Sequence, residues 1–70
     1  MITYDPFWKT LKCTGQSTYT LINHHRISSS TINRLRKNRH INTSTLEDLC
    51  KILHCNINDL VSYIPDKEAF

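Results

Sequence analysis

Ser17-Thr18-Tyr19-Thr20-Leu21-Ile22-Asn23-His24-His25-Arg26-Ile27-Ser28-Ser29-Ser30-Thr31-Ile32-Asn33-Arg34-Leu35-Arg36 sets a serine before each of two short runs with apolar residues at helical spacing. Ser17 can cap a helix that carries Leu21 and Ile22, and Ser28 can cap a second in which Ile32 and Leu35 form the buried stripe. Only about Asn23 to Ile27 separates them, too little for antiparallel partners to lie side by side. The two helices are therefore expected to cross steeply.

Downstream, Leu46, Leu49, Cys50 and Leu53 recur at i, i+3, i+4 and i+7, one inward face with Glu47, Asp48 and Lys51 left in water. Ser44 followed by Glu47 has the spacing of a capping box and is expected to start this helix. Asn56 and Asp59 suggest a cap for a final turn or two bearing Ile57, Leu60, Val61 and Ile64, stopped by Pro65. Upstream, Asp5 and Pro6 have the chemistry of an N-cap and a first helical residue, so a short helix should run from Pro6 to Lys12 or Cys13, with Gly15 ending it. Five short helices result. Thr and Ile favour strands and the Ser28 to Thr31 run is a poor helix former, but caps at compatible intervals decide for an all-α bundle. Phe7, Leu11, Leu21, Ile22, Ile27, Ile32, Leu35, Ile41, Leu46, Leu49, Leu53, Ile57 and Leu60 are the expected core. Phe7-Trp8 reads as one core aromatic beside a half-exposed one.

The chain has 70 residues, 39% of them apolar against roughly 45–50% in an average domain. That length suits one domain over 1–70, with a core of about 4–65 and a tail of 66–70, and a small core. A binding module fits better than an enzyme. No carboxylate pair, Gly-rich phosphate loop or Cys/His/Asn set appears in a catalytic context. Apolar runs of three residues or fewer argue against a membrane span, and the N-terminal residues lack a signal-like pattern. Three cysteines, an odd number, suggest free thiols in a reducing cytoplasm. Cys50, His54, Cys55 and Cys13 could be assembled into a zinc site on paper. Cys50, however, already belongs to the apolar stripe, where a thiol packs as a small hydrophobe. No cofactor and no small-molecule ligand is expected.

The formal charge of +3 is unevenly spread. Residues 1–43 hold Lys9, Lys12, Arg26, Arg34, Arg36, Lys37 and Arg39 against Asp5 alone, whereas residues 44–70 hold Lys51 and Lys67 against Glu47, Asp48, Asp59, Asp66 and Glu68. A basic face of this kind suits a polyanion. The helix from Ser28 opens with the small polar residues Ser29, Ser30 and Thr31, followed by Asn33, Arg34 and Lys37 on the exposed side and by Arg36, Asn38, Arg39 and His40. Small residues let a helix end approach base edges, and cations beyond it can grip phosphates. With the steep crossing, this is a helix-turn-helix arrangement.

These residues resemble the Cro/C1-type (Xre-like) helix-turn-helix regulators. Ser17 to Arg36 resembles the family's second helix, turn and third helix. Thr45 to Leu60 resembles the fourth and fifth helices of a short subgroup, and Tyr4 to Leu11 the first helix. The resemblance covers about residues 4–65 and implies a five-helix, lambda-repressor-like domain that binds double-stranded DNA and regulates transcription. Carried over, it implies that Ser29, Ser30 and Arg34 face the major groove, with Thr31 and Asn33 beside them, and that Thr18, Lys37 and Asn38 touch phosphates. Arg36 and Arg39 add charge. Arg34 is the first candidate for reading sequence, through a bidentate contact to guanine. Two positions depart from the pattern: Arg26 stands where glycine is usual at the end of helix 2, and Thr18 where glutamine commonly begins it. Either the turn is strained at Arg26 or it differs by a residue. Family members commonly bind as two-fold dimers, and Tyr63, Ile64 and Phe70 are the candidate dimer surface. The alternative reading is a protein-interaction module of the same fold, such as an antitoxin or a mobile-element accessory factor.

Overall fold

The computed structural model describes residues 1–65. In chain order these form β1 (Ile2–Thr3), α1 (Asp5–Cys13), α2 (Thr18–His24), α3 (Ser29–Arg36), α4 (Thr43–Leu53), a single 3-10 turn (Ile57–Asp59) and β2 (Ser62–Tyr63). The all-helical class holds, with four α-helices and one 3-10 turn in place of five helices. The fifth is held to one turn: Val61 N still donates to Ile57 O at 3.1 Å, and from Ser62 the chain is extended, where β2 pairs antiparallel with β1 in the register Ile2 to Tyr63 and Thr3 to Ser62. β-branched Ile2 and Thr3 suit that ribbon.

The caps explain the helix boundaries. Ser17 Oγ accepts from Thr20 N at 3.2 Å and Thr20 Oγ1 accepts from Ser17 N at 3.0 Å, a reciprocal box that starts α2. At α3, Ser28 Oγ accepts from Thr31 N at 3.1 Å. Both caps are those expected. α4 begins earlier than the Ser44-Glu47 spacing predicts: Asn42 is its cap, and its Oδ1 accepts from Thr45 N at 2.9 Å, Thr45 Oγ1 at 2.7 Å and Ser44 Oγ at 2.9 Å. One carboxamide oxygen collecting three donors outcompetes a serine already inside the helix. Glu47 instead pairs with Lys51 at 3.4 Å in an exposed i, i+4 contact that contributes little. α1 likewise starts one residue early. Its cap residue is Tyr4, and Asp5, inside the first turn, donates its amide to Thr3 Oγ1 at 3.2 Å.

Tyr4, Phe7, Leu11, Leu21, Ile27, Ile32, Leu35, Leu49, Leu53 and Leu60 form the buried core, with Trp8, Ile41, Leu46 and Cys50 packed partly against it. Two expected members lie outside. Ile22 is 36% exposed and Ile57 53% exposed. Successive residues on a helix point about 100° apart, so α2 can aim Leu21 inward only by turning Ile22 out. Ile57 would have needed the longer final helix; the single turn buries Leu60 alone. The 3-10 turn is tied to α1 by Thr10 Oγ1, which donates to Asp59 O at 2.8 Å.

α2, α3 and α4 each run into a left-handed residue that is not glycine: Arg26 at φ 59°, Asn38 at φ 53° and His54 at φ 52°. The turn between α2 and α3 thus keeps the left-handed step usually given to glycine and accepts Arg26 in it. Ile27 N closes the corner on Leu21 O at 3.0 Å. A side chain costs roughly 1–2 kcal/mol in this conformation, partly offset by the freedom glycine adds to the unfolded chain. Arg26→Gly is therefore expected to stabilise the domain by about 0.5–1 kcal/mol and raise Tm by a few degrees in a thermal melt. A fall in Tm would show that the arginine stem contributes more packing than the corner costs.

Candidate nucleic-acid interface

α3 buries Ile32 and Leu35 and so turns Ser29, Ser30, Asn33 and Arg34 outward, all exposed, with Lys37 exposed just past its end. Helical spacing puts these residues on one face. Thr31 differs. It is half-buried, and its Oγ1 lies 2.9 Å from Ser28 Oγ within the cap, so its hydroxyl serves the helix start. Thr18, the first residue of α2, is half-buried beside the Ser17 box.

The cations do not form one uniform group. Arg36 lies with its guanidinium 5.9 Å from the centroid of the Trp8 ring, a cation-π contact that draws it toward α1. Trp8 meets Phe7 edge to face, ring centroids 4.8 Å apart at 77°, with Phe7 fully buried and Trp8 half-buried, as the sequence suggests. Arg34, by contrast, shares a shallow, open cleft with Asn38, Arg39 and His40. Among the described residues, no carboxylate pairs with Arg34, Arg36, Lys37 or Arg39. Four guanidinium or ammonium groups thus stand along 34–39 without a counter-ion among the described residues. Asn38 is half-buried and its Oδ1 accepts from Tyr4 N at 3.0 Å, leaving the amide NH2 as its outward chemistry. His40 joins the cleft although sequence reasoning left it outside the candidate residues; its place directly after Arg39 was the available signal.

Tyr4 is the other residue not anticipated here. It is 3% exposed and its hydroxyl donates to Arg39 O at 2.8 Å. Burial pushes this phenol above its ordinary pKa, with the Ile41 backbone pulling weakly the other way, so the hydroxyl stays protonated and remains a donor.

The thiols pack. Cys13 is exposed, while Cys50 and Cys55 lie half-buried against the core. Burial raises the Cys55 thiol pKa, and Cys50 and Asp59 nearby add to the rise. No group of three or more His, Cys, Asp or Glu side chains among the described residues is placed to hold a metal ion. Nor is any helix among them long and apolar enough to cross a membrane.

The sequence model of the Cro/C1-type HTH DNA-binding domain matches residues 7–66. The chain belongs to the Cro/C1-type helix-turn-helix family. No curated protein matches in sequence. Among solved structures, the crystal structure of the transcriptional regulator VanUg is similar, with 26% identity and a TM-score of 0.83 over 93% of this chain and 87% of that one. Within the family framework, α2 and α3 are the helix-turn-helix pair, and Arg26 occupies its turn in the left-handed conformation.

Proposed function

We propose that this Cro/C1-type domain is a sequence-specific, double-stranded DNA-binding transcriptional regulator that lays α3 in the major groove. The observation that carries the reading is the face of α3: small and polar at its N-terminal end, then cationic through Arg39 with no counter-ion among the described residues. The major groove of B-form DNA, about 12 Å across, admits an α-helix. Ser29, Ser30, Asn33 and Arg34 meet base edges, with Thr31 supporting the tip through the Ser28 cap. Thr18, Arg36, Lys37, Asn38 and Arg39 hold phosphates. To take that part, Arg36 exchanges the Trp8 ring for a phosphate oxygen.

Residues 1–70 act as one domain in the cytoplasm, as a homodimer on a two-fold site whose half-sites are roughly 34 Å apart. Tyr63, 63% exposed, and Ile64, 47% exposed, offer apolar surface for that pairing. Phe70, the third candidate, lies outside the described residues, as does the tail 66–70.

The test is selection from a randomised duplex pool by the purified protein over a salt series, with sequencing of the retained DNA. Enrichment of a short two-fold motif, with affinity falling steeply as salt rises, is expected. Negligible retention at low salt by a folded protein would overturn the reading in favour of a protein-binding module.

A further inference from the structure

Tyr4 belongs to the core, outside the face proposed to meet DNA, yet two of its bonds end on the segment that carries the cations. Its hydroxyl donates to Arg39 O at 2.8 Å and its backbone N donates to Asn38 Oδ1 at 3.0 Å. Asn38, at φ 53°, is the left-handed step that ends α3 and sets the direction in which the chain departs. The corner's own backbone bonds are Arg39 N to Arg34 O at 2.9 Å and a long Asn38 N to Leu35 O at 3.4 Å. The Tyr4 pair adds a brace on the outer side of this corner. That brace is rigid, because Tyr4 is 3% exposed and adjoins β1, itself paired with β2.

From this geometry we infer that Tyr4 is a positioning residue for the grip on the DNA backbone: it locks the Asn38-Arg39 corner so that Arg39 is held beside His40 at the end of α3, where it can meet a phosphate while Arg34 faces the bases. The inference rests on the DNA-binding reading above. Tyr4 touches no nucleic acid in it. Arg39 does, and Tyr4 acts through Arg39.

Salt dependence separates this role from a merely structural one. Tyr4 and Asn38 carry no charge, so neither releases a counter-ion, and a change in the salt slope on altering them has to come from a displaced cation. The experiment measures affinity for a short random-sequence duplex over a salt series for the full chain, Tyr4→Phe, Arg39→Ala and the double variant, each first melted to establish folding. Tyr4→Phe keeps the buried ring and removes only the hydroxyl. It is expected to weaken binding about three- to tenfold on every sequence and to reduce the slope by about one unit. The effect should vanish in the Arg39→Ala background. An unchanged slope and folded-state affinity, or losses that simply multiply in the double variant, would reduce Tyr4 to a core residue. Should Tyr4→Phe fail to fold, Asn38→Gly keeps the left-handed corner and deletes the acceptor of the Tyr4 backbone bond; because Asn38 is itself proposed to meet a phosphate, the uncharged side chain is read by slope alone, which is expected to fall, and an intact slope there overturns the inference. If the unaltered chain binds the duplex but Arg39→Ala costs nothing, the inference fails alone. If the unaltered chain does not bind, the DNA reading fails first.

Discussion

Phe7→Ala leaves the chain largely unfolded at room temperature. Phe7 has no exposed surface, stands among Leu11, Leu21, Leu49 and Leu60 in the core, and supports Trp8 edge-on at 4.8 Å. Truncating a buried phenylalanine to alanine costs roughly 3–5 kcal/mol, the lost transfer energy plus the cavity left behind. A core this small supplies a net stability of about 3–5 kcal/mol, so the one substitution removes most or all of it. Circular dichroism against temperature checks this: the variant should show little helix at 25 °C and no cooperative transition. Ile57→Ala, at a side chain 53% exposed, should melt within a few degrees of the unaltered protein. A cooperative Phe7→Ala melt lowered by only a few degrees would mean that neighbouring side chains collapse into the space, and that α1 is less central than its burial indicates.

Arg34→Ala has the largest expected effect on binding. Arg34 is exposed on the outward face of α3 with no carboxylate paired to it among the described residues, and a bidentate arginine to guanine contact contributes roughly 1–3 kcal/mol of discrimination. Affinity is expected to fall about 5- to 150-fold for each half-site contacted, with base preference relaxed at one position in each half-site. Lys37→Ala provides the contrast. An ammonium gripping phosphate reads no base, so its loss should weaken all sequences alike and lower the salt slope by about one unit per protomer. Competition binding with single-base variants of the selected site distinguishes the two patterns. Equal losses on every sequence for both substitutions would move Arg34 from base reading to backbone contact, consistent with its place in the cleft beside Arg39 and His40.

How much of this was legible beforehand depends on the reach of each interaction. The Ser17 and Ser28 caps are local, each bond closing within three residues, and the pattern that reveals them is as short as the chemistry. The start of α4 is local too, but two candidate caps stand close together. Ser44 with Glu47 satisfies the familiar spacing, and only the geometry at Asn42 Oδ1 shows which one binds. The β1-β2 ribbon pairs residues some sixty positions apart in strands of two residues each, too short for an alternating pattern. Tyr4 shows the same limit. Its partners, Asn38 and Arg39, are 34 and 35 positions away, and nothing near Tyr4 in the chain announces them. The face of α3 was legible because Ile32 and Leu35 fix which side is buried. The division among the cations was not, since Arg36 turns to Trp8 and Arg34 to the cleft although both belong to one basic run.

The Arg36 contact with Trp8 also has an optical consequence. Trp8 is the chain's single tryptophan, half-buried at the edge of Phe7 with a guanidinium 5.9 Å from its ring. Indole emission shifts and dims or brightens with the charge and water around the ring, so the protein's tryptophan emission, excited selectively over its three tyrosines, comes from one site and follows where Arg36 points. If a phosphate draws Arg36 away, the free and bound forms emit differently without any attached dye. The same ultraviolet signal also reports when the indole loses its packing against the core, which lets one unlabelled sample follow both folding and engagement.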